Sequence, residues 1–256
     1  MDPLSVSCMT CRCMGIGSRR HKGLKYARSW TAEKIFHVPQ KLDKILAVSD
    51  FERSRLQAHF GSSAHVETLY NPVSPASEIR QEPWKSKNYV WIGRMTMEKD
   101  PITPARICHE LGVSLTLVGD GPLEAEVRAS NPNANLVGWL GADGVRVEQC
   151  RSRALIMSSK CYETASLVVL ECLAAGIPCV VPSMSAATSW VEDGVNGLTF
   201  DIQDSSSLKR ALERLDDDDF VEQLSLNAFT RYWKEPFSLA RYRESVLQHY
   251  QEAMGA

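Results

Sequence analysis

The sequence predicts an α/β protein built on a doubly wound parallel sheet, and three observations support this prediction. From about residue 88 onward, short runs rich in β-branched residues alternate with helical patterns. The runs are nearly all apolar, which is typical of parallel strands covered by helices on both faces. The chain has 256 residues, enough to bury the core of one large or two modest domains. Ligands of such sheets bind beyond the carboxyl ends of the strands, so a site is expected in those loops.

Six strands are predicted in this larger part of the chain. They are Tyr89–Ile92, Ser114–Val118, Asn135–Val137, Ala154–Met157, Pro178–Val181 and Gly197–Phe200. The helical patterns between them cover residues 102–111, 122–130, 143–151, 167–175 and 205–215. The acidic run Asp216–Asp219 follows the last of these patterns, and we interpret it as a solvated helix terminus.

The first 75 residues are organised differently. Here Lys44–Val48 and Val66–Tyr70 are predicted strands, and Asp50–Phe60 is a predicted helix that Ser49 can cap. The proline-containing stretch Asn71–Lys87 is typical of a linker between domains.

The composition indicates an ordinary soluble globular protein. Hydrophobic residues make up 44% of the chain and charged residues 23%, with a formal net charge of -2. Domains that bind nucleic acid usually carry a basic excess, so nucleic acid is not an expected partner. We expect neither a signal peptide nor a membrane span, because the longest apolar stretch, Ala165–Val181, is interrupted by Glu171, Gly176 and Pro178. The corresponding expectation is a cytoplasmic protein that contacts the membrane face at most peripherally.

Eight cysteines without a signal peptide suggest reduced thiols rather than a disulfide framework. Three of them, Cys8, Cys11 and Cys13, cluster in a polar stretch near the N-terminus. Together with His21 they could form a thiolate-rich zinc site. The spacing lacks a second CxxC pair, so we interpret them as reduced loop cysteines and predict no metal site.

A basic pair follows the first strand of the larger part. Gly93 lets the backbone turn sharply, and Arg94 and Lys99 come after it. Beyond the carboxyl end of a parallel strand, the two cations could together neutralise a diphosphate. The alternative is an ordinary surface arginine and lysine beside a loop.

The next strand ends in a turn, Val118-Gly-Asp-Gly-Pro122, that leads into a helix. Glycines in a turn and a proline at a helix start are common for purely structural reasons. We therefore interpret Gly119 and Gly121 as structural, with a place in the lining of a ligand cleft as the alternative.

The most informative segment is Glu163–Pro178. It predicts a helix capped by Thr164 or Ser166 that ends at a Gly-Ile-Pro turn. Every residue from Leu167 to Ala175 except Glu171 is apolar or small, which predicts a helix buried on all sides. An unpaired buried carboxylate is costly, so Glu171 needs a hydrogen-bonding partner. Either the two hydroxyls of a ribose or another group of the protein could be that partner.

In this order, the motifs resemble those of the retaining glycosyltransferase family 4, whose members have the GT-B architecture. The resemblance rests on Glu163 and Glu171 as an E-x7-E pair, on the Gly93–Lys99 loop and on the Val118–Pro122 turn. Three further segments also fit: Ala47-Val-Ser49, Asn71-Pro-Val73 and Glu192–Gly197. It covers about residues 40 to 250, and so many motifs rarely coincide by chance.

The resemblance implies a site for a nucleoside diphosphate sugar of the UDP or GDP type, without a metal or other cofactor. Arg94 and Lys99 would hold the donor diphosphate, Glu171 would bind the ribose, and Glu163 would contact the donor sugar. The other residues implied at the nucleotide are Gly93, Ser166, the backbone amides near Leu167 and Val168 at the phosphate, and Val137 and Gly138 beside the base.

Two departures from the family matter. The family usually has glycine where this chain has Thr164 and Ser166, so the resemblance leaves the donor sugar open. The family also has a complete N-terminal domain, with the acceptor site and a histidine near the sugar. This chain carries what resembles only the last part of that domain, and neither His21 nor His37 matches the motif of that histidine.

The expected organisation has three parts. They are a partial N-terminal, acceptor-side domain over residues 1–75, a nucleotide-sugar-binding Rossmann-like domain over 76–236, and a C-terminal helix over 237–256 that packs back toward the N-terminal part. The implied reaction is retaining transfer of a hexosyl group to a glycan or lipid-linked acceptor, as in polysaccharide biosynthesis. One alternative is a non-catalytic nucleotide-sugar-binding subunit that needs self-association or a partner chain. The other is a different enzyme of the same fold, such as an epimerase or a phosphorylase.

Overall fold

A computed structural model of the chain describes residues 27–28, 30–31, 35, 41–161, 163–204 and 206–255. The N-terminal cysteines and histidines discussed above, Cys8, Cys11, Cys13, His21 and His37, lie outside these residues. The chain divides into two compact units, Met1–Tyr70 with Ala240–Ala256, and Asn71–Leu239.

In the first unit, the described residues 27–28 and 30–31 are helical, and two parallel strands and two further helices have defined bounds. They are β1 (Ile45–Ala47), α1 (Asp50–Phe60), β2 (Val66–Thr68) and, at the end of the chain, α8 (Leu239–Met254). The Ser49 hydroxyl accepts a hydrogen bond of 3.1 Å from the Glu52 backbone N–H, which confirms Ser49 as the cap of α1. Ala47, Ala64 and Val66 form a small buried core.

The second unit is built on a six-stranded sheet in which every pair of neighbouring strands is parallel. Its strands are β3 (Asn88–Ile92), β4 (Ser114–Val118), β5 (Asn135–Gly138), β6 (Ala154–Ile156), β7 (Cys179–Pro182) and β8 (Gly197–Phe200). Its helices are α2 (Ile102–Leu111), α3 (Glu124–Ser130), α4 (Ala142–Cys150), α5 (Leu167–Ala174), α6 (Ser207–Arg214) and α7 (Asp218–Lys234). The sequence prediction of a doubly wound parallel sheet is confirmed.

The strand order places one topological switch point in the middle of this sheet. The order is β5-β4-β3-β6-β7-β8, so the chain runs outward from β3 to one edge and then returns to β6 beside it. Open parallel sheets bind ligands at the carboxyl ends of the strands where the order reverses. The loops after β3 and β6 are therefore the first place to look for a site.

Apolar residues are buried on both faces of the sheet. On β3, Tyr89 and Trp91 enter one core cluster while Val90 enters another, because successive side chains of a strand point to opposite faces. This two-sided burial explains why the strands are nearly all apolar in sequence.

Two features of the second unit differ from the sequence predictions. Helix α7 has 17 residues and no predicted counterpart, although the acidic run does form its start: Asp217 accepts bonds from the N–H groups of Asp219 and Phe220. The predicted linker Asn71–Lys87 instead packs on the second unit. Its backbone bonds to α5 and the residue after it, for example from Gln81 to Ala175 at 2.8 Å. One of its prolines, Pro83, begins a short 3₁₀ helix over Pro83–Lys85, so this stretch is packed structure rather than a linker.

None of the helices that the structure describes is both long and apolar enough to pass through a membrane.

Candidate functional site

The loops that follow β3 and β6 are bonded to each other at the switch point. The Trp91 indole donates a hydrogen bond of 3.0 Å to the Ser158 hydroxyl, which in turn donates one of 2.7 Å to the Asp100 carbonyl. The Lys160 ammonium lies 2.7 Å from an Asp100 carboxylate oxygen. These contacts join residues far apart in sequence, and nothing in the motifs pointed to Ser158, Lys160 or Asp100.

Asp100 holds the first of these loops in a strained conformation. Its φ is 47°, the one positive φ outside glycine among the described residues. Its carboxylate accepts a bond of 2.7 Å from the Thr103 hydroxyl at the start of α2, besides its ion pair with Lys160. A strained backbone conformation persists when the contacts around it hold it in place. The conformation of Asp100 in turn sets the position of Lys99, the residue before it.

Lys99 and Glu163, both predicted site residues, form an ion pair. The Lys99 ammonium and the Ser159 hydroxyl both donate to Glu163 Oε1, and the Ser166 hydroxyl donates to Oε2 at 3.2 Å. The Lys99 side chain is 28% exposed and the Glu163 side chain 14%. Lys99, Glu163 and Val168 line a small cavity of about 60 Å³ at the ends of β3 and β6.

Arg94 lies in the same loop but remains in solvent. Its side chain is 75% exposed, and its ion pair with Glu98 is long, at 4.0 Å. The structure thus brings Lys99, Glu163 and Ser166 together and leaves the Arg94 guanidinium available at the rim of the loop.

The two glycines after β4 pack tightly against this loop. A Cβ atom on Gly119 would lie 2.0 Å from the Gly93 carbonyl oxygen, and one on Gly121 would lie 2.5 Å from the Met95 carbonyl oxygen. Both glycines also have a positive φ, which L-residues rarely adopt. The structural interpretation of Gly119 and Gly121 is therefore supported.

Helix α5 begins beside the ion pair without a side-chain cap. Ser166 stands at the N-cap position, but its hydroxyl bonds to Glu163 and to none of the backbone N–H groups. The predicted capping role of Ser166 is therefore wrong. The first N–H groups of the helix, near Leu167 and Val168, are left without a side-chain acceptor, which favours an anion at this position.

The prediction that α5 is buried on all sides is also wrong. Leu167 is 37% exposed, and Val168 and Glu171 are partly exposed. These three positions share one face because they are three and four residues apart. The opposite face is buried in the core, through Val169, Leu170, Cys172, Leu173 and Ala174.

Glu171 has a protein partner on this open face. It accepts a hydrogen bond of 3.2 Å from the side-chain amide of Gln149 on α4. Burial raises the pKa of Glu171, whereas the bond from Gln149 and the positive charge of Arg146 act to lower it. Sequence reasoning missed Gln149, which lies 22 residues away and belongs to no motif.

Val137 and Gly138 stand at the carboxyl end of β5, next to the glycine turn. The Gly119 N–H donates to the Gly138 carbonyl at 2.7 Å, and Gly138 has a φ of 73°. The following Trp139 is 75% exposed, so an aromatic ring stands in solvent beside the predicted base position.

A larger cavity lies elsewhere in the second unit. It measures about 550 Å³ and lies between α5 and α7, with an ion pair of 2.7 Å between Glu192 and Arg231 among its lining residues. The predicted diphosphate, sugar and ribose residues do not line this cavity. We therefore do not place the donor there.

In the first unit, one group of side chains has the composition of a metal site. Ligand atoms of Glu67, His249 and Glu252 lie within 4.8 Å of one another. The Lys44 ammonium contacts all three, at 3.0 Å from Glu67, at 3.3 Å from His249 and in a short bond to Glu252. Lys44 therefore supplies the positive charge that these carboxylates need.

Comparison with known proteins identifies the family. The sequence profile described as "Glycosyl transferases group 1" matches residues 86–218. The chain is 26% identical over 214 residues to a GDP-mannose-dependent alpha-mannosyltransferase of Corynebacterium glutamicum, covering 80% of this chain and 51% of that protein. It is also 26% identical over 171 residues to a lipopolysaccharide 1,6-galactosyltransferase of Salmonella typhimurium, covering 60% of this chain and 47% of that protein. The chain thus spans about half the length of these relatives.

Solved structures share the fold. Sucrose-phosphate synthase from Thermosynechococcus elongatus superposes with a TM-score of 0.77 at 17% identity, covering 98% of this chain and 66% of that one. Anabaena HepE in complex with UDP and glucose gives a TM-score of 0.73 at 15% identity, covering 92% and 69%. The profile match spans more than half of the 256 residues, and the chain belongs to the group 1 glycosyl transferases.

Proposed function

We propose that this chain is the donor-binding part of a retaining glycosyltransferase that takes a hexosyl group from a nucleoside diphosphate sugar. The acceptor is a glycan or a lipid-linked glycan. The observation that carries the proposal is the meeting of Lys99, Glu163 and the uncapped start of α5 at the switch point of a parallel sheet. Family membership supports it, and so do relatives whose names include GDP-mannose-dependent transfer and complexes with UDP.

The chemical task is to stabilise the charge that develops on the leaving diphosphate. Arg94 and Lys99 offer two cations, and the backbone N–H groups near Leu167 and Val168 offer fixed dipoles. Groups that are already oriented toward developing charge lower the barrier without reorganising during the reaction. This arrangement does not require a metal ion for that task.

Glu163 and Glu171 have different roles in this proposal. Glu163 contacts the donor sugar and, before the donor arrives, neutralises Lys99. Glu171 accepts hydrogen bonds from the ribose hydroxyls, because it stands on the open face of α5 about one turn after the N–H groups proposed for the phosphate. The base lies beside Val137 and Gly138.

The first prediction tests Glu171. Replacing it by alanine should weaken binding of UDP or GDP by roughly 1–3 kcal/mol, the usual cost of losing a hydrogen bond to a charged group. Calorimetry on the folded variant measures this change, and Glu222→Ala, which removes an exposed carboxylate of α7, is the matched control. Unchanged affinity in Glu171→Ala would remove the ribose role.

Retention itself is tested by the anomeric configuration of the product. A retaining enzyme keeps the configuration of the donor sugar, and an inverting enzyme would reverse it.

A second candidate is a nucleotide-sugar-binding subunit without transfer activity of its own. The small first unit favours it, since its described sheet has only two strands. Labelled donor sugars and a panel of glycan and lipid-linked acceptors distinguish the two, because the subunit would bind donor and transfer nothing unless a partner chain or a second copy were added.

A further inference from the structure

Gln149 is a fully buried amide with only one of its two polar atoms satisfied. It lies on α4 with 0% of its surface exposed. Its Nε2 group donates to Glu171, while its Oε1 atom is buried and has no hydrogen-bond partner among the described residues. Buried polar atoms are nearly always paired in folded proteins, so an unpaired one needs an explanation.

The orientation of this amide is dictated by Glu171. An ionised carboxylate can only accept hydrogen bonds, so the amide must turn its N–H₂ group toward it. The carbonyl oxygen is then forced to the other side, where the core of the second unit offers it no donor. The Oε1 atom is therefore unpaired because the amide donates its N–H₂ group to Glu171.

This arrangement costs stability. A buried acceptor without a donor loses its hydration and typically destabilises the fold by about 1–3 kcal/mol. An apolar side chain of the same length at position 149 would avoid that cost. A residue that is unfavourable for folding, and whose only side-chain hydrogen bond goes to a site residue, is better explained by the site than by the fold.

We propose that Gln149 is the positioning residue for Glu171, holding one carboxylate oxygen so that the other faces the open side of α5 to receive a vicinal diol. This inference rests on the proposed function, in which that diol belongs to the donor ribose. The second oxygen of Glu171 has no hydrogen-bond partner among the described residues.

The groups around Glu171 set the sign of the pH dependence. Arg146 on α4 is near enough to lower its pKa, and it is itself paired with Asp143 at 2.6 Å. Tyr232 on α7 and Cys172, the next residue on α5, are close enough to be affected by the Glu171 charge. Burial raises the pKa of both groups, and the Glu171 charge raises it further. The amide bond favours the ionised form of Glu171, so losing the bond raises the pKa of this carboxyl.

The test compares the parent chain of 256 residues with the Gln149→Met variant, which keeps the length of the side chain and removes both polar atoms. The ligands are whichever of UDP or GDP binds more tightly and its 2′,3′-dideoxy analogue, which lacks the diol. The measured quantity is the ratio of their dissociation constants over a pH series that starts at the ordinary pKa of a glutamate and rises from there, because burial raises the pKa of Glu171. The parent should prefer the diol more strongly as the pH rises, because Glu171 becomes ionised.

In Gln149→Met, the preference for the diol should fall roughly tenfold, and the pH at which it is lost should move upward. The midpoint of urea unfolding should change little, because removal of the buried unpaired oxygen offsets the loss of the bond to Glu171. A purely structural role predicts the opposite pattern, with lower stability and an unchanged preference, and that result would overturn the inference.

Three further variants keep the outcome decisive. Ser225→Ala removes another fully buried atom without a partner and should leave the preference unchanged. Gln149→Glu keeps a polar side chain if the methionine variant does not fold; repulsion between two carboxylates should make its preference fall as the pH rises. Glu171→Gln should abolish the preference. If Glu171→Gln abolishes the preference for the diol but the changes at position 149 do not alter it, only the inference about Gln149 fails. If Glu171→Gln keeps the preference, the ribose role of Glu171 in the proposed function fails as well.

Discussion

At the scale of single residues, the ion pair between Lys99 and Glu163 has a direct consequence for donor binding. In this structure the Glu163 carboxylate is bonded to the Lys99 ammonium, the group that we propose binds the diphosphate. An incoming diphosphate must therefore displace or share that contact. In the proposed function, the carboxylate also adds negative charge where the diphosphate binds, so it should oppose a free nucleotide and favour binding only when a donor sugar is present.

We predict that Glu163→Gln binds free UDP or GDP about two- to fivefold more tightly than the parent, the range expected for one partly exposed ion pair. Affinity for the corresponding sugar nucleotide should gain less or fall, because the contact to the sugar is lost. Calorimetry with both ligands measures the two changes. Glu98→Gln, which breaks only the long pair with exposed Arg94, is the control and should change little. Weaker binding of the free nucleotide to Glu163→Gln would contradict this role.

The sequence singled out these charged residues but not the residues that contact them. Lys99 and Glu163 were found because each belongs to a motif with fixed spacing beside a strand or helix end. Ser159, Asp100 and Gln149 belong to no such motif. Ser159 contacts Glu163 within one loop, whereas Asp100 meets Lys160, and Gln149 meets Glu171, only because the fold brings distant segments together. Only the tertiary structure supplies that information.

At the scale of secondary structure, Arg153 holds the start of β6 to its surroundings. This arginine is 1% exposed. Its guanidinium donates to the carbonyls of Trp84 and Ser86 on one side and of Leu215 and Asp216 on the other, and it pairs with Asp218 at 2.6 Å. One side chain therefore joins the start of the sheet to the turn between α6 and α7.

We predict that Arg153→Met destabilises the protein by roughly 3–5 kcal/mol, because it leaves several carbonyl groups without a donor. Urea unfolding measures this change. The neighbouring Arg151→Met is the control: that side chain is 72% exposed with a pair of 4.0 Å, so its loss should cost no more than about 0.5 kcal/mol. Similar small losses for both variants would show that the bonds of Arg153 contribute little.

Strands and short helices of the second unit were predicted almost residue by residue, because apolar runs and Gly or Pro turns alternate there. Helix α7 was missed although its buried positions, Val221, Leu224, Ser225, Ala228 and Tyr232, recur at helical spacing. The acidic run at its start was interpreted as a solvated helix terminus, so the helical spacing that follows was not recognised as a further helix. The packed stretch Asn71–Lys87 shows the opposite error, since its prolines suggested a linker.

At the scale of the whole molecule, the sequence predicted the class of sheet but not the order of its strands. Alternation of strands and helices does not determine which strands become neighbours. That order matters here, because it puts β3 next to β6 and so brings Lys99 to Glu163. The family resemblance supplied the site residues without supplying this geometry.

Every residue assigned to the donor lies in the second unit, Asn71–Leu239. This unit contains its own six-stranded sheet with buried clusters on both faces. A fragment of this size buries enough surface to fold by itself.

We therefore predict that a protein of residues 71–239 unfolds in a single cooperative transition in urea. It should bind UDP or GDP with an affinity within about threefold of that of the full chain, since a preformed site needs no contribution from elsewhere. A fragment that folds cooperatively but binds at least tenfold more weakly would show that the first unit contributes to the donor site. As an internal control, Glu171→Ala should weaken binding equally in the fragment and in the full chain, because the residue that we propose for the ribose lies within the second unit in both.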